Sequence, residues 1–183
     1  MFRKRFLAAT AMTALLAVLS AGGCQPEPPP PPQPKTYTST ENGFSLTFPG
    51  DWRSWEGGYG TVLEVMPPGQ VDPNVFRDIV LVSIETLPDP MTPEEYMAIK
   101  AAKGAQVMAD YEELERSPVT LNGRPAGRLV YSSTINAEPV TSIAYFLVKG
   151  NRGYTLVAGA ALQRFPLRKA DFEKVASSLT LLD

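Results

Sequence analysis

Between Pro26 and Pro34 seven of nine residues are proline, with Glu27 and Gln33 the exceptions. Proline fixes its own φ, lacks a backbone N–H and pushes the residue before it toward extended conformations, so this stretch can join neither a helix nor a sheet interior. It reads as a stiff polyproline II spacer rising about 3.1 Å per residue, roughly 25 to 30 Å in all. Such segments also dock aromatic grooves, but a spacer is the simpler reading here. The chain is thereby cut into two unlike parts, a short N-terminal segment and a body from near Tyr37 to Asp183 that is the size of one ordinary domain.

In the first part, Arg3, Lys4 and Arg5 precede an apolar run from Phe6 to Val18 broken only by Thr10 and Thr13, and the small residues Ser20 to Gly23 follow. Charged start, apolar core and small-residue end come in the order of a secretory signal peptide. The core is shorter than the ~20 apolar residues of a spanning helix. Cys24, the only cysteine, stands where the cleavage site would be. This arrangement resembles the lipobox of bacterial lipoproteins, with Gly22 and Gly23 just before the cut and Ala21 where that family usually has Leu. The resemblance implies that residues 1–23 are removed and that Cys24 receives a diacylglycerol on sulfur and an acyl chain on its amine. Several chains at ~0.8 kcal/mol per buried methylene pass the two-anchor threshold for stable attachment. Residues 24–36, the lipidated cysteine and the proline linker, then tether the body to a membrane. Gln25 rather than Asp after the cysteine implies, by the same resemblance, the outer membrane of a bacterial envelope, with the body in the periplasm.

Histidine is absent, and the one cysteine is committed to lipid. Thiol redox chemistry, disulfides, Cys/His zinc sites and histidine-based triads all need residues the body lacks, so no enzyme activity, metal centre or cofactor is expected. Three of the 17 Lys and Arg precede Cys24, so the rest of the chain carries a formal charge of about −5 with its 19 Asp and Glu. That acidic balance argues against nucleic acid, which is held by neutralising phosphates. It also supplies no basic patch to draw the body onto anionic lipid.

The body alternates short strands with helices. Phe44 to Phe48 alternates apolar and polar residues as a half-buried strand does, and Pro49-Gly50 ends it. Trp55-Glu56-Gly57-Gly58-Tyr59-Gly60 reads as a loop. It is no phosphate cradle, because a β-like run, Thr61 to Val65, follows where a helix would have to begin. A second loop, Pro67 to Arg77, leads to Asp78–Leu87, an Ile- and Val-rich interior strand. Thr92 with Glu95 forms a capping box and Pro93 sits at the first helical position, predicting a helix from Pro93 to Ala102 or beyond with Tyr96 and Ile99 facing the core. Asp110, Glu112, Glu113 and Glu115 fit a solvated face or strand edge better than any calcium loop. Asn122-Gly123 marks a tight hairpin between Val119–Leu121 and Ala126–Ile135. Strands Val140–Lys149 and Tyr154–Leu162 extend it into an antiparallel meander. Leu167 to Ser178 then carries the helical spacing of Phe172, Val175, Ala176 and Leu179, and Thr180 to Leu182 closes the chain. The order predicts an α+β domain with helices packed on an antiparallel β-sheet.

Gly43-Phe44-Ser45-Leu46-Thr47-Phe48-Pro49 with Asp51-Trp52 resembles the opening strand of PsbP-like domains, which share their fold with DcrB-like bacterial lipoproteins and a eukaryotic Ran-binding transport factor. Asn122 to Ala126, Gly153-Tyr154-Thr155-Leu156, Ala160, Arg164-Phe165 and Phe172 to Leu179 are similar to that family's hairpin, closing strand and final helix. The resemblance spans residues 37–183 and implies an α/β/α sandwich, without implying one activity. Histidine-based metal sites of some members have no counterpart in this chain.

Three function classes follow. A non-catalytic accessory or assembly lipoprotein that binds another envelope protein fits the tether, the spacer and the missing catalytic residue types. Its candidate contacts lie on the two loops, with Trp55, Tyr59, Asp72 and Phe76 as the side chains of choice, against the alternative that Trp52 and Trp55 simply pack the core. A small-molecule or divalent-cation module would use Asp72, Asp110 or Glu112 to Glu115 and needs a pocket with converging polar groups. An enzyme built on paired carboxylates ranks last, because nothing fixes two acids at a usable separation.

Overall fold

The computed structural model describes Pro30 and residues 32–58, 60–69 and 75–182. The signal segment, Cys24, Tyr59 and Asp72 lie outside these described residues. The chain divides into two units, Met1–Pro31 and Pro32–Asp183, and the second holds every element below.

In chain order these are β1 (Lys35–Ser39), β2 (Phe44–Phe48), β3 (Arg53–Gly58), β4 (Thr61–Met66), β5 (Ile79–Thr86), α1 (Pro93–Val107), β6 (Ala109–Leu121), β7 (Arg124–Ile135), β8 (Glu138–Lys149), β9 (Arg152–Ala161), α2 (Phe165–Ser177) and β10 (Thr180–Leu181). Among the described residues, a seven-stranded sheet runs β3-β4-β5-β9-β8-β7-β6 and a three-stranded sheet runs β1-β2-β10. Every pairing in both is antiparallel. The fold is the α+β class that the alternation of patterns predicts.

Each face of the large sheet buries a separate cluster. On one, Leu63, Val65, Val80, Val82 and Leu156 meet Phe172 and Val175 of α2 and Phe44 and Leu46 of β2. On the other, Leu129, Ala144 and Phe146 meet Tyr96, Met97 and Ala101 of α1. The layers are thus α1, the large sheet, and then α2 beside the small sheet.

Local chemistry explains the joints. Thr92 Oγ1 accepts from the Glu95 backbone N–H at 3.2 Å while the Glu95 carboxylate accepts from the Thr92 N–H at 2.8 Å, closing the capping box at the start of α1. Asn122 and Gly123 turn with φ of 46° and 76°, the doubly positive turn whose twist matches the strands it joins. The Asn122 side-chain amide also donates to the Leu179 carbonyl at 2.8 Å, tying this hairpin to the C-terminal end of the chain.

Three expectations need correction. The body begins at Lys35, where β1 pairs with β2, two residues before the expected boundary. Trp55 to Gly58 is not loop: it belongs to β3, with Trp55 opposite Glu64, and only Tyr59 and Gly60 remain between β3 and β4. The glycines that suggested a loop instead bend the strand's end, with φ of 67° at Gly57. Ile99 is 54% exposed rather than in the core. The buried line of α1 is Met97, Ala101 and Gly104, spaced four and three residues apart with Tyr96 beside it, and two residues of helix turn Ile99 about 200° away from Met97.

Candidate functional site

Cross-strand register places Trp55, Glu64, Leu81, Val157, Ala144 and Leu129 in one row on the α1 face of the large sheet. Along it, cover falls away. Ala144 and Leu129 lie buried beneath α1, Val157 and Leu81 are half-buried, and Trp55 on the edge strand is 45% exposed. Helix α1 packs on β6, β7 and β8 and reaches β5 at Glu85, so among the described residues no helix covers this face over β3, β4 and the part of β5 from Ile79 to Ser83. Met66, Ile79 and Ser83, also half-buried, flank the row.

The two tryptophans therefore have different roles. Trp52 is buried and meets Phe172 edge-on, with ring centroids 6.3 Å apart. Trp55 instead offers a broad amphipathic ring to solvent, beside Arg53 and Asp51.

Phe76 lies on the same sheet face, its ring against Gly159, where a Cβ would come within 3.6 Å of the ring's Cζ. β3 and β9 are three strand spacings apart, about 14 Å, so Trp55 and Phe76 bound one face without touching. Phe76 is also held at its backbone. Its N–H donates to the Glu138 carboxylate at 2.5 Å, and its carbonyl accepts from the Arg164 guanidinium. Arg164 and Arg168 donate from their Nε atoms to the two oxygens of the wholly buried Asp78 at 2.9 and 3.0 Å. This network joins the approach to β5, the start of β8 and the first turn of α2.

The acidic run lies on edge strand β6, and two of its four carboxylates pair with arginine. Arg116 grips both oxygens of Glu113 at 2.7 and 2.6 Å, and Arg128 donates to Glu115 at 2.6 Å. Those hydrogen bonds hold both carboxyls below the usual carboxylate range. Asp110 accepts from the Thr134 hydroxyl at 2.7 Å. Among the described residues, no three Asp, Glu, His or Cys are gathered to hold a metal ion.

A polar cluster under α1 was not evident from sequence. Tyr96, Glu85, Lys100 and Thr155 meet where the helix crosses β5 and β9. The only sequence sign is Glu85 on a strand otherwise rich in Ile and Val.

No protein-family model and no curated protein matches the sequence. Solved structures do match in fold. Cyanobacterial PsbP (CyanoP) from Synechocystis superposes with TM-score 0.59 at 18% identity, over 88% of this chain and 98% of that one. LpqN, involved in cell envelope biogenesis of Mycobacterium tuberculosis, gives 0.66 at 16%, over 82% and 91%. The Saccharomyces cerevisiae Ran-binding protein Mog1p gives 0.55 at 8%, over 82% and 96%. The chain has the PsbP-like fold. Among the described residues no helix is long and apolar enough to cross a membrane.

Proposed function

We propose that this protein is a lipoprotein of the bacterial cell envelope, anchored through Cys24 to the outer membrane and facing the periplasm, whose folded domain binds another envelope protein without catalysis or cofactor. The observation that carries the binding reading is Trp55, 45% exposed at the open end of a cross-strand row, beyond the part that α1 covers. A large aromatic side chain on a rigid strand is the residue type that anchors protein interfaces. Two proteins of the same fold support an adaptor reading through what they are described as doing: LpqN in cell envelope biogenesis and Mog1p in binding Ran. The sequence order of charged start, apolar core, small residues and Cys24 supports the anchor.

Crosslinking in intact cells, followed by capture of the native lipoprotein and mass spectrometry, tests the partner. One recurrent envelope protein, lost on Trp55→Ala and Tyr59→Ala, is the expected outcome. Capture of the same proteins by wild type and both variants would remove this face from consideration. The anchor is tested separately with Cys24→Ala, which should move the protein from the membrane fraction to the soluble one; continued membrane partitioning would overturn it.

A further inference from the structure

The seven-stranded sheet ends on two strands of unlike character. β6 is guarded as solvent-facing edges usually are: it carries Asp110, Glu112, Glu113, Glu115, Arg116 and Pro118, and its pairing with β7 slips between Ala109 and Glu112 and between Glu113 and Glu115. β3 has neither proline nor slip before its glycines. Arg53, Ser54, Trp55 and Glu56 pair in unbroken register with Met66, Val65, Glu64 and Leu63, and each of them is exposed. In an antiparallel edge strand, alternate residues turn both N–H and C=O away from the sheet. Among the described residues no other strand pairs with β3 on that side, so this stretch presents backbone donors and acceptors ready for one.

An open recess of about 630 Å³ lies beside the strand, lined by Lys35, Asp51, Trp52, Arg53, Ser54 and Trp55. Lys35, on the edge strand of the small sheet, bounds it and donates from Nζ to the Trp52 carbonyl at 3.4 Å. Arg53 and Trp55 alternate onto the same sheet face. The Arg53 guanidinium has no ion-pair partner among the described residues, so a negative charge can approach it. The straight edge is short, because Gly57, with φ of 67°, turns the strand after Glu56. That leaves about 13 Å of edge at ~3.3 Å per residue. Two copies of the chain meeting over that length alone would bury far less than the ~1,200 Å² of a stable interface. A linear segment needs only the strand's backbone groups and the side chains beside them.

We propose that the partner adds a strand to β3: an extended segment pairs antiparallel with residues 53–56, an acidic residue opposite Arg53 and an apolar one opposite Trp55. Directly opposed side chains of these kinds are the favourable cross-strand pairs, and the apolar one continues the row past Trp55. The inference rests on the reading of this face as a protein-binding surface and names how the partner engages it.

Amide NMR and hydrogen exchange of the purified full-length protein, titrated with the end-blocked peptide Thr-Lys-Val-Thr-Glu-Val, test this. Set antiparallel with its Glu opposite Arg53, the peptide places its central Val opposite Trp55 and its Lys opposite Glu56. Saturable shifts centred on β3, with new exchange protection at alternate amides among residues 53–56, are expected. Two N-methylated forms, one modified at the central Val and the Glu, the other at the Lys and the following Thr, block opposite edges of the peptide. One should lose binding and the other keep it. Arg53→Glu should weaken the peptide by about three- to tenfold, and a peptide with Lys in place of its Glu should recover the loss. Absence of saturable binding, equal effects of the two N-methylated forms, or protection on β1 or β6 instead of β3 would overturn the proposal. So would protection of β3 that rises with protein concentration alone, which would assign the edge to a second copy. A native partner captured through Trp55, with no peptide bound at β3, would remove strand addition alone. Peptide binding at β3 with no partner captured would remove the envelope-protein reading alone.

Discussion

The Tyr96 hydroxyl and the Lys100 ammonium share one oxygen of the Glu85 carboxylate, at 2.6 and 2.8 Å. A carboxylate only accepts, so the phenol spends its single proton on Glu85, and Thr155, 2.9 Å away, must donate to Tyr96. Burial first, and then the neighbouring carboxylate, push the Tyr96 phenol up. For Glu85 burial acts in the same upward sense, but the bonds from Lys100 and Tyr96 outweigh it and hold the carboxyl below its ordinary value of 4.5.

A pH signature follows from that lowered value. Stability contributed by Glu85 is fully present above the ordinary carboxylate pKa and is lost as pH falls through the lower folded one. Urea midpoints measured from pH 7 downward should therefore drop less steeply below about pH 4.5 in Glu85→Gln than in wild type. Tyr96→Phe should cost about 1 to 2 kcal/mol, since both its hydrogen bonds disappear.

Asp78 should prove the most sensitive single charge. It is wholly buried between Arg164 and Arg168, and Asp78→Ala leaves both guanidinium groups facing a site without their carboxylate. Chemical denaturation should show a loss of about 3 to 5 kcal/mol. The replacement of Arg168 by Met should cost less, because Arg164 still pairs with Asp78.

Gly153 is fixed by space rather than by φ. A Cβ there would lie 2.6 Å from Tyr96 Cζ and 2.9 Å from Leu87 Cδ2. Gly153→Ala should destabilise by about 1 to 3 kcal/mol through overpacking. Relief of that cost in the Gly153→Ala, Tyr96→Leu double variant, read from a double-mutant cycle, would locate the strain at the ring.

The two tryptophans should separate in fluorescence and stability. Trp55→Phe should remove the red-shifted, acrylamide-quenchable emission, and Trp52→Phe the blue-shifted, protected part. Thermal or urea unfolding should charge about 3 to 5 kcal/mol for Trp52→Ala and no more than about 0.5 kcal/mol for Trp55→Ala.

Elements whose two faces differ in chemistry were legible in the sequence. Phe44, Leu46 and Phe48 alternate with Ser45 and Thr47, and the structure buries the three apolar residues and leaves the other two half-exposed. Thr92 and Glu95 cap α1, and Asn122-Gly123 makes its turn, because those signals are complete within a few residues. Edge strands were harder to read. β1, with the sequence Lys-Thr-Tyr-Thr-Ser, has little apolar contrast, and β3 carries two glycines. β6 is longer than its apolar end suggested, since an exposed edge tolerates charge that an interior strand would not. As for the candidate site, sequence named Trp55 but not its row, because Glu64, Leu81 and Val157 come together only through register. Asp78 and Arg164 are likewise 86 residues apart, beyond any local pattern.

β1 and β10 flank the same strand, β2, so the two ends of the folded domain share one small sheet. Mechanically they form a single latch. Under the anchoring proposed above, tension along the proline segment would enter at Lys35, at the far end of β1 from its turn into β2, and would load that strand pair first. Under that proposal the Lys35–Ser39 strand would serve as the domain's strain relief: as an edge strand paired only with β2, its release would bare one edge of β2 without breaking a pairing of the seven-stranded sheet.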